Sequence, residues 1–132
     1  MSKSVIYAAN SNSQPFVAAG TVINFGNIVR RYGSNLCLSG GNVEITGAGY
    51  YDVDTNFTVL ANDAGTLKVQ LFIDGVAIPG AVATITTTAA TNYAISIPAI
   101  IRHTCCCEGT ITAVISGVTG NVTNAAIDVI KL

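Results

Sequence analysis

From Tyr50 to Leu60 the side chains alternate one by one between two chemical characters. Tyr51, Val53, Phe57 and Val59 fall on one side of an extended chain, and Asp52, Asp54, Asn56 and Thr58 on the other. Only a strand with a repeat of two sorts these residues cleanly, so this segment reads as a half-buried antiparallel strand. The same logic recurs along the chain. Leu67, Val69, Leu71 and Ile73 share a face, as do Ile111, Ala113 and Ile115. Runs rich in Val, Ile, Thr and Tyr also occur at Val5–Ala9, Thr21–Phe25, Asn27–Tyr32, Asn42–Thr46, Val76–Ile78, Ala81–Thr87, Tyr93–Ile101 and Ala125–Leu132. Between them lie Gly, Asn, Asp and Ser. Asp74-Gly75 is a tight-hairpin signal, and Pro98 marks an edge or a bulge. The tract from Asn10 to Pro15 and the stretch Gly117–Asn124 read as loop and turn. No sustained 3.6-residue apolar stripe is present. Eight to ten short strands with turns every eight to twelve residues predict an all-β sandwich or barrel, most simply a jelly roll, filling residues 1–132 as one domain.

Charge narrows the function classes. Six Lys and Arg face seven Asp and Glu, and only 10% of the 132 residues are charged. An ordinary soluble domain carries about 25%. A nucleic-acid binder needs a basic face, so no nucleic-acid partner is expected. A polybasic membrane-surface role is excluded on the same ground. No uninterrupted apolar run of about 18 residues occurs, so no membrane span is expected. The N-terminal residues read as neither secretory signal nor anchor, which points to synthesis in the cytoplasm. Mean hydropathy is +0.54. A small domain exposes much of its surface, and this chain has few charges to cover it. The expectation is that it hides surface against copies of itself.

Residues that carry chemistry are sparse. Cys105-Cys106-Cys107 is the most unusual run, with Cys37 elsewhere. Three roles are open to these thiols: small buried hydrophobes, a disulfide from Cys37 to one of the three, or ligation of a metal. His103 and Cys107 on an extended strand stand about 13 Å apart, too far for one zinc ion held at about 2.0–2.3 Å. No metal and no cofactor is therefore expected. One histidine, His103, with no demanded third group is poor ground for Cys–His catalysis. Asp52, Asp54 and Asn56 read as a solvated strand face rather than a calcium loop. Asp63 reads as turn chemistry. Asn56-Phe57-Thr58 and Asn121-Val122-Thr123 fit a glycosylation pattern that carries little weight without a signal peptide. Gly47-Ala48-Gly49 reads as part of a strand run, without the helix that a dinucleotide fingerprint requires, and no Gly-x-Ser-x-Gly elbow occurs. Nothing supports an enzyme. Arg30, Arg31 and Arg102 are candidate partner contacts, pairing with Glu108 or Asp128 between chains or within one.

Three segments carry a resemblance. Val43–Val53, with Gly49-Tyr50-Tyr51, resembles the Gly-x-Tyr strand of the tumour-necrosis-factor and complement globular-head superfamily. Val69-Gln70-Leu71-Phe72-Ile73-Asp74-Gly75-Val76 resembles its following hairpin, and Ile127–Leu132 its closing strand. Ile23–Arg31 and Arg102–Glu108 resemble segments of small stand-alone members from genomes and prophages of gut Firmicutes. The resemblance implies a tumour-necrosis-factor-like jelly roll of about ten strands that forms a homotrimer. It also implies a non-enzymatic structural protein of a bacteriophage virion: a capsid decoration protein or head-fibre component, bound to other virion proteins such as the major capsid protein. The N-terminal strand is the expected tether to the particle. The alternative is a receptor- or glycan-binding tip of a tail fibre, or a spore-surface head, that contacts host glycan. That alternative calls for an exposed aromatic patch at a loop cluster, and the sequence displays none.

Overall fold

The structure, a computed structural model, describes residues 3–104 and 108–132. It is built from twelve strands: β1 (Val5–Asn10), β2 (Gln14–Phe16), β3 (Thr21–Val22), β4 (Asn27–Tyr32), β5 (Leu36–Ser39), β6 (Asn42–Thr46), β7 (Gly49–Ala61), β8 (Gly65–Ile73), β9 (Val76–Thr87), β10 (Thr91–His103), β11 (Glu108–Ser116) and β12 (Gly120–Lys131). All pairings are antiparallel. One sheet runs β10-β7-β12-β1-β4, with β2 on β12; the other runs β5-β6-β11-β8-β9, with β3 on β11. The two six-stranded sheets form a jelly-roll-like sandwich. No helix occurs among the described residues, so none there is long and apolar enough to cross a membrane.

The period-two pattern decides which side chains meet between the sheets. From the first sheet come Ile6, Tyr51, Val53, Phe57, Val59 and Val129; from the second come Val43, Ile45, Leu67, Val69, Leu71, Ile111 and Ile115. All of these are fully buried. Fully burying one Leu, Ile or Phe side chain stabilises the fold by roughly 1.5–3 kcal/mol. Phe25 enters from the non-strand segment after β3. Its ring lies 5.8 Å from that of Phe57, tilted by 41°, an arrangement that aromatic pairs favour. Thr55 interrupts the apolar row of β7, and its hydroxyl donates to Ile97 O at 2.8 Å, which satisfies it in the core.

Several strand limits depart from the sequence reading, each for a physical reason. Among the described residues the count is twelve rather than about ten because the sequence reading lacks β2 and β5, which gain order from β12 and from a hairpin with β6, while Val76–Ile78 and Ala81–Thr87 merge into β9. Gln14–Phe16 lies within and beside the predicted loop, yet it pairs with β12 while the Gln14 side chain clamps Asn24: its amide donates to Asn24 O at 2.8 Å and its carbonyl accepts from Asn24 N at 2.9 Å. Pro79-Gly80 does not end a strand. β9 runs through it as a bulge, with Gln70 Nε2 donating to Ile78 O and Ala81 O. The predicted turn at Gly117–Asn124 is a turn only at its start, since β12 begins at Gly120 and its Val122 is buried. Gly47-Ala48 does not lie in a strand; it forms the connection by which the chain crosses from β6 to β7, between sheets. Pro98 does sit on an edge strand, β10. Cys105, Cys106 and Cys107 lie outside the described residues.

Two glycines separate backbone strain from steric overlap. Gly75 closes the β8–β9 hairpin at φ +79°, after Asp74 at φ +52°, and a Cβ there would meet nothing within 4 Å. Gly117 has φ +101°, donates its amide to Ala18 O at 2.9 Å, and a Cβ there would overlap Thr66 O. We expect Gly75→Ala to cost about 1–2 kcal/mol, the strain of a left-handed residue. Gly117→Ala should cost clearly more, because the β8 backbone must also move. Urea denaturation of the two variants checks the order; equal losses would remove the steric component.

Candidate functional site

With one face of each sheet spent on the core, attention falls on the outward face of β10-β7-β12-β1-β4. Register fixes its rows. Across the middle, Pro98, Asp54, Asp128, Tyr7 and Arg30 stand side by side on successive strands. The next row is Ile100, Asp52, Ile130, Val5 and Tyr32. On the other side lie Ser96, Asn56, Ala126 and Ala9. Large apolar and aromatic side chains are left in water here: Ile100 is 66% exposed, Tyr32 70% and Tyr50 53%, with Tyr7 and Ile130 also exposed. A groove of about 520 Å³ opens on this face, lined by Tyr7, Asp54, Asn56, Ser96, Pro98 and Asp128 among others.

Three carboxylates share the face. Asp54 and Asp128 are direct cross-strand partners, and Asp52 is two residues along from Asp54 on β7. Burial raises the Asp128 carboxyl above its usual range, and the charges of Asp54 and Asp52 raise it further. Like charges directly opposite are unfavourable in a sheet, so the arrangement carries a cost that packing within one chain does not remove. Asp52, Asp54 and Asn56 face solvent, as the alternation predicts.

The other candidate residues are dispersed. Arg30 projects from this face, and its guanidinium donates to the adjacent Val29 O. Arg31 turns the opposite way and donates to Leu36 O. Arg102 lies over the Tyr50 ring, 5.8 Å from its centre, a cation–π contact. Arg30 and Arg102 thus stand on opposite edge strands rather than in one basic cluster. Cys37, on β5 in the other sheet, points its thiol at Glu44 (3.6 Å); burial and that carboxylate hold it protonated beyond the usual thiol range. Its pairing with Cys105, Cys106 or Cys107 falls outside the described residues. His103 is buried, with Nδ1 3.1 Å from Gly47 O, the carbonyl that also accepts from Tyr51 OH at 2.9 Å. That geometry anchors the sheet crossover. Asp63 holds turns together, accepting from Thr119 and, through its backbone carbonyl, from Thr87. Among the described residues no group of three or more His, Cys, Asp and Glu could hold a metal ion.

The sequence shows no surface aromatic cluster, yet Tyr7, Tyr32 and Tyr50 share this one face. Three distant segments supply them, so only the strand order reveals the grouping.

Comparison of the sequence with protein-family models and with curated proteins gave no match. Comparison of the fold with solved structures did. Murine APRIL at pH 5.0 superposes with a TM-score of 0.78 at 14% identity, over 99% of this chain and 100% of that one. Eiger TNF from S. frugiperda gives 0.70 at 10% identity, over 98% and 91%. The PRD1 vertex protein P5 gives 0.63 at 12% identity, over 98% and 96%. The chain has the tumour-necrosis-factor-like jelly-roll fold. These identities establish shared architecture, and the chemistry of any site rests on the residues above.

A titration follows from the carboxylate row. A native carboxyl with a raised pKa binds its proton more tightly than the unfolded chain does. Stability therefore falls as pH rises from near the ordinary aspartate value of 3.8 through the native value. At pH 7, Asp128→Asn should raise the stability of the single chain by roughly 0.2–1 kcal/mol, given partial solvent screening. The gain should vanish below about pH 4. Denaturant midpoints at the two pH values test this; a pH-independent difference would assign the effect to packing.

Proposed function

We propose that this protein is a non-enzymatic structural component of a bacteriophage virion, a trimeric capsid decoration or head-fibre protein. It would be made in the bacterial host cytoplasm and incorporated into the particle. The observation that carries the reading is the outward face of β10-β7-β12-β1-β4. It gathers Tyr7, Tyr32, Tyr50, Ile100 and Ile130, all exposed, on a chain with only 10% charged residues. Contiguous exposed apolar surface marks an interaction site. Three copies packed around a common axis cover such a face in a closed ring and leave no open end. Obligate interfaces of this type bury about 2,000 Å² or more. Support for the virion assignment comes from the fold shared with the PRD1 vertex protein P5 and from the resemblance of Ile23–Arg31 and Arg102–Glu108 to prophage-encoded segments. The second sheet and the loops would then meet other virion proteins, the major capsid protein among them.

The three exposed tyrosines favour a second reading, a receptor- or glycan-binding tip of a tail fibre or spore-surface head. Aromatic side chains with a polar end are common at binding surfaces. Tyr32 closes β4 and Tyr50 stands at the start of β7, but all three share a sheet face with the exposed Ile100 and Ile130, and that apolar setting fits self-association better.

Native mass spectrometry of the full chain should give a trimer at micromolar concentration, and electron microscopy of particles made with and without the gene should show density that depends on it. A single-chain mass at every concentration, with a glycan-array signal lost in Tyr32→Ser, would replace the structural reading with the second one.

A further inference from the structure

The outward sheet face carries both halves of an ion pair that its own chain does not make. Asp54 and Asp128 line the groove, with Asp52 alongside. Arg30 stands in the same row on edge strand β4, with the Tyr7 strand between. Strands spaced about 4.8 Å apart place its Cα roughly 10 Å from that of Asp128 and 14 Å from that of Asp54. Among the described residues no ion pair forms between Arg30 and any of them; its guanidinium reaches only Val29 O. Two other cations near this face are engaged, Arg102 over Tyr50 and Lys131 with its Nζ 3.5 Å from Asn35 Oδ1, and Lys3 is exposed ahead of β1. Arg31 is turned away to Leu36 O.

We propose that the partner for the acidic groove is a second copy of this chain, whose β4 edge inserts Arg30 between Asp54 and Asp128. This rests on the trimeric reading and goes beyond it by fixing which edge meets which face. The contact is heterologous: each copy gives its β4 edge to one neighbour and receives the other neighbour's edge in its groove. A guanidinium matches two adjacent carboxylates with its fork of donors. Its arrival offsets the repulsion between the facing Asp54 and Asp128 carboxylates. Tyr32, 70% exposed on the same edge, is carried in beside it. The groove volume of about 520 Å³ accommodates both side chains.

Charge reversal tests this, with parity as the discriminator. Arg30→Glu alone, and Asp54→Lys with Asp128→Lys alone, should each raise the concentration for half-assembly by about 30-fold or more. One chain carrying all three reversals should assemble again near the wild-type concentration. An equimolar mixture of the two singly reversed proteins should not recover a tight trimer, because an odd-membered ring must contain one mismatched contact. A tight one-to-one dimer from that mixture would overturn the ring. Analytical ultracentrifugation reads all four samples, and circular dichroism confirms that each is folded. Should the lysine variant fail to fold, a double-mutant cycle of Arg30→Gln against Asp54→Asn with Asp128→Asn replaces it, and simple additivity overturns the pairing. A wild-type trimer indifferent to Arg30→Glu overturns this inference but leaves the trimeric reading standing. A wild-type monomer overturns the trimeric reading first.

Discussion

Burial between the two sheets sets the terms for everything else in this molecule. Because side chains alternate strictly along a strand, each residue placed in the core commits both of its neighbours to the outside. Tyr51, Val53, Phe57 and Val59 hold the sandwich together, and in doing so they push Tyr50, Asp52, Asp54 and Asn56 outward. Slippage of β7 by one residue would bury Asp52, Asp54, Asn56 and Thr58 and expose Tyr51, Val53, Phe57 and Val59, so the register is strongly fixed. The outward face is therefore not free to vary independently of the core. It is the complementary half of one pattern, repeated on β10, β7, β12 and β1, while edge strand β4 is exposed along its whole length.

That linkage explains which parts of the structure were legible in sequence. β6 and the inward rows of β7, β8 and β11 follow directly from alternation, and the Asp74-Gly75 hairpin follows from its turn chemistry. The short strands did not. Leu36–Ser39 and Gln14–Phe16 are too brief to display a period; the first is ordered by a tight hairpin with β6 and the second by β12, far away in sequence. The Pro79-Gly80 bulge was hidden because the group that stabilises it, Gln70, lies on the preceding strand. The start of β12, rich in Gly, Asn and Thr, resembles a turn until β7 and β2 pair with it.

The candidate site was legible only in pieces. The solvated row of Asp52, Asp54 and Asn56 is visible in one segment. Its neighbours are not: Asp128, Tyr7 and Arg30 come from β12, β1 and β4, and strand order alone sets them beside Asp54. A sequence scan sees scattered tyrosines and arginines where the sheet has a surface with a basic edge and an acidic middle. Sites on sheet faces are in general built this way, from residues that share a row and not a segment.

The first and last strands lie side by side. Val5 is opposite Ile130, and the Lys131 amide donates to Ser4 O. The two ends of the described chain therefore leave the sandwich at one corner, about one strand spacing apart. A brief linker could join them, and the chain could be reopened at Asp74-Gly75 without breaking the pairing of β1 with β12. Folding of such a rearranged polypeptide would depend on the sandwich as a whole and not on the order in which its strands are written.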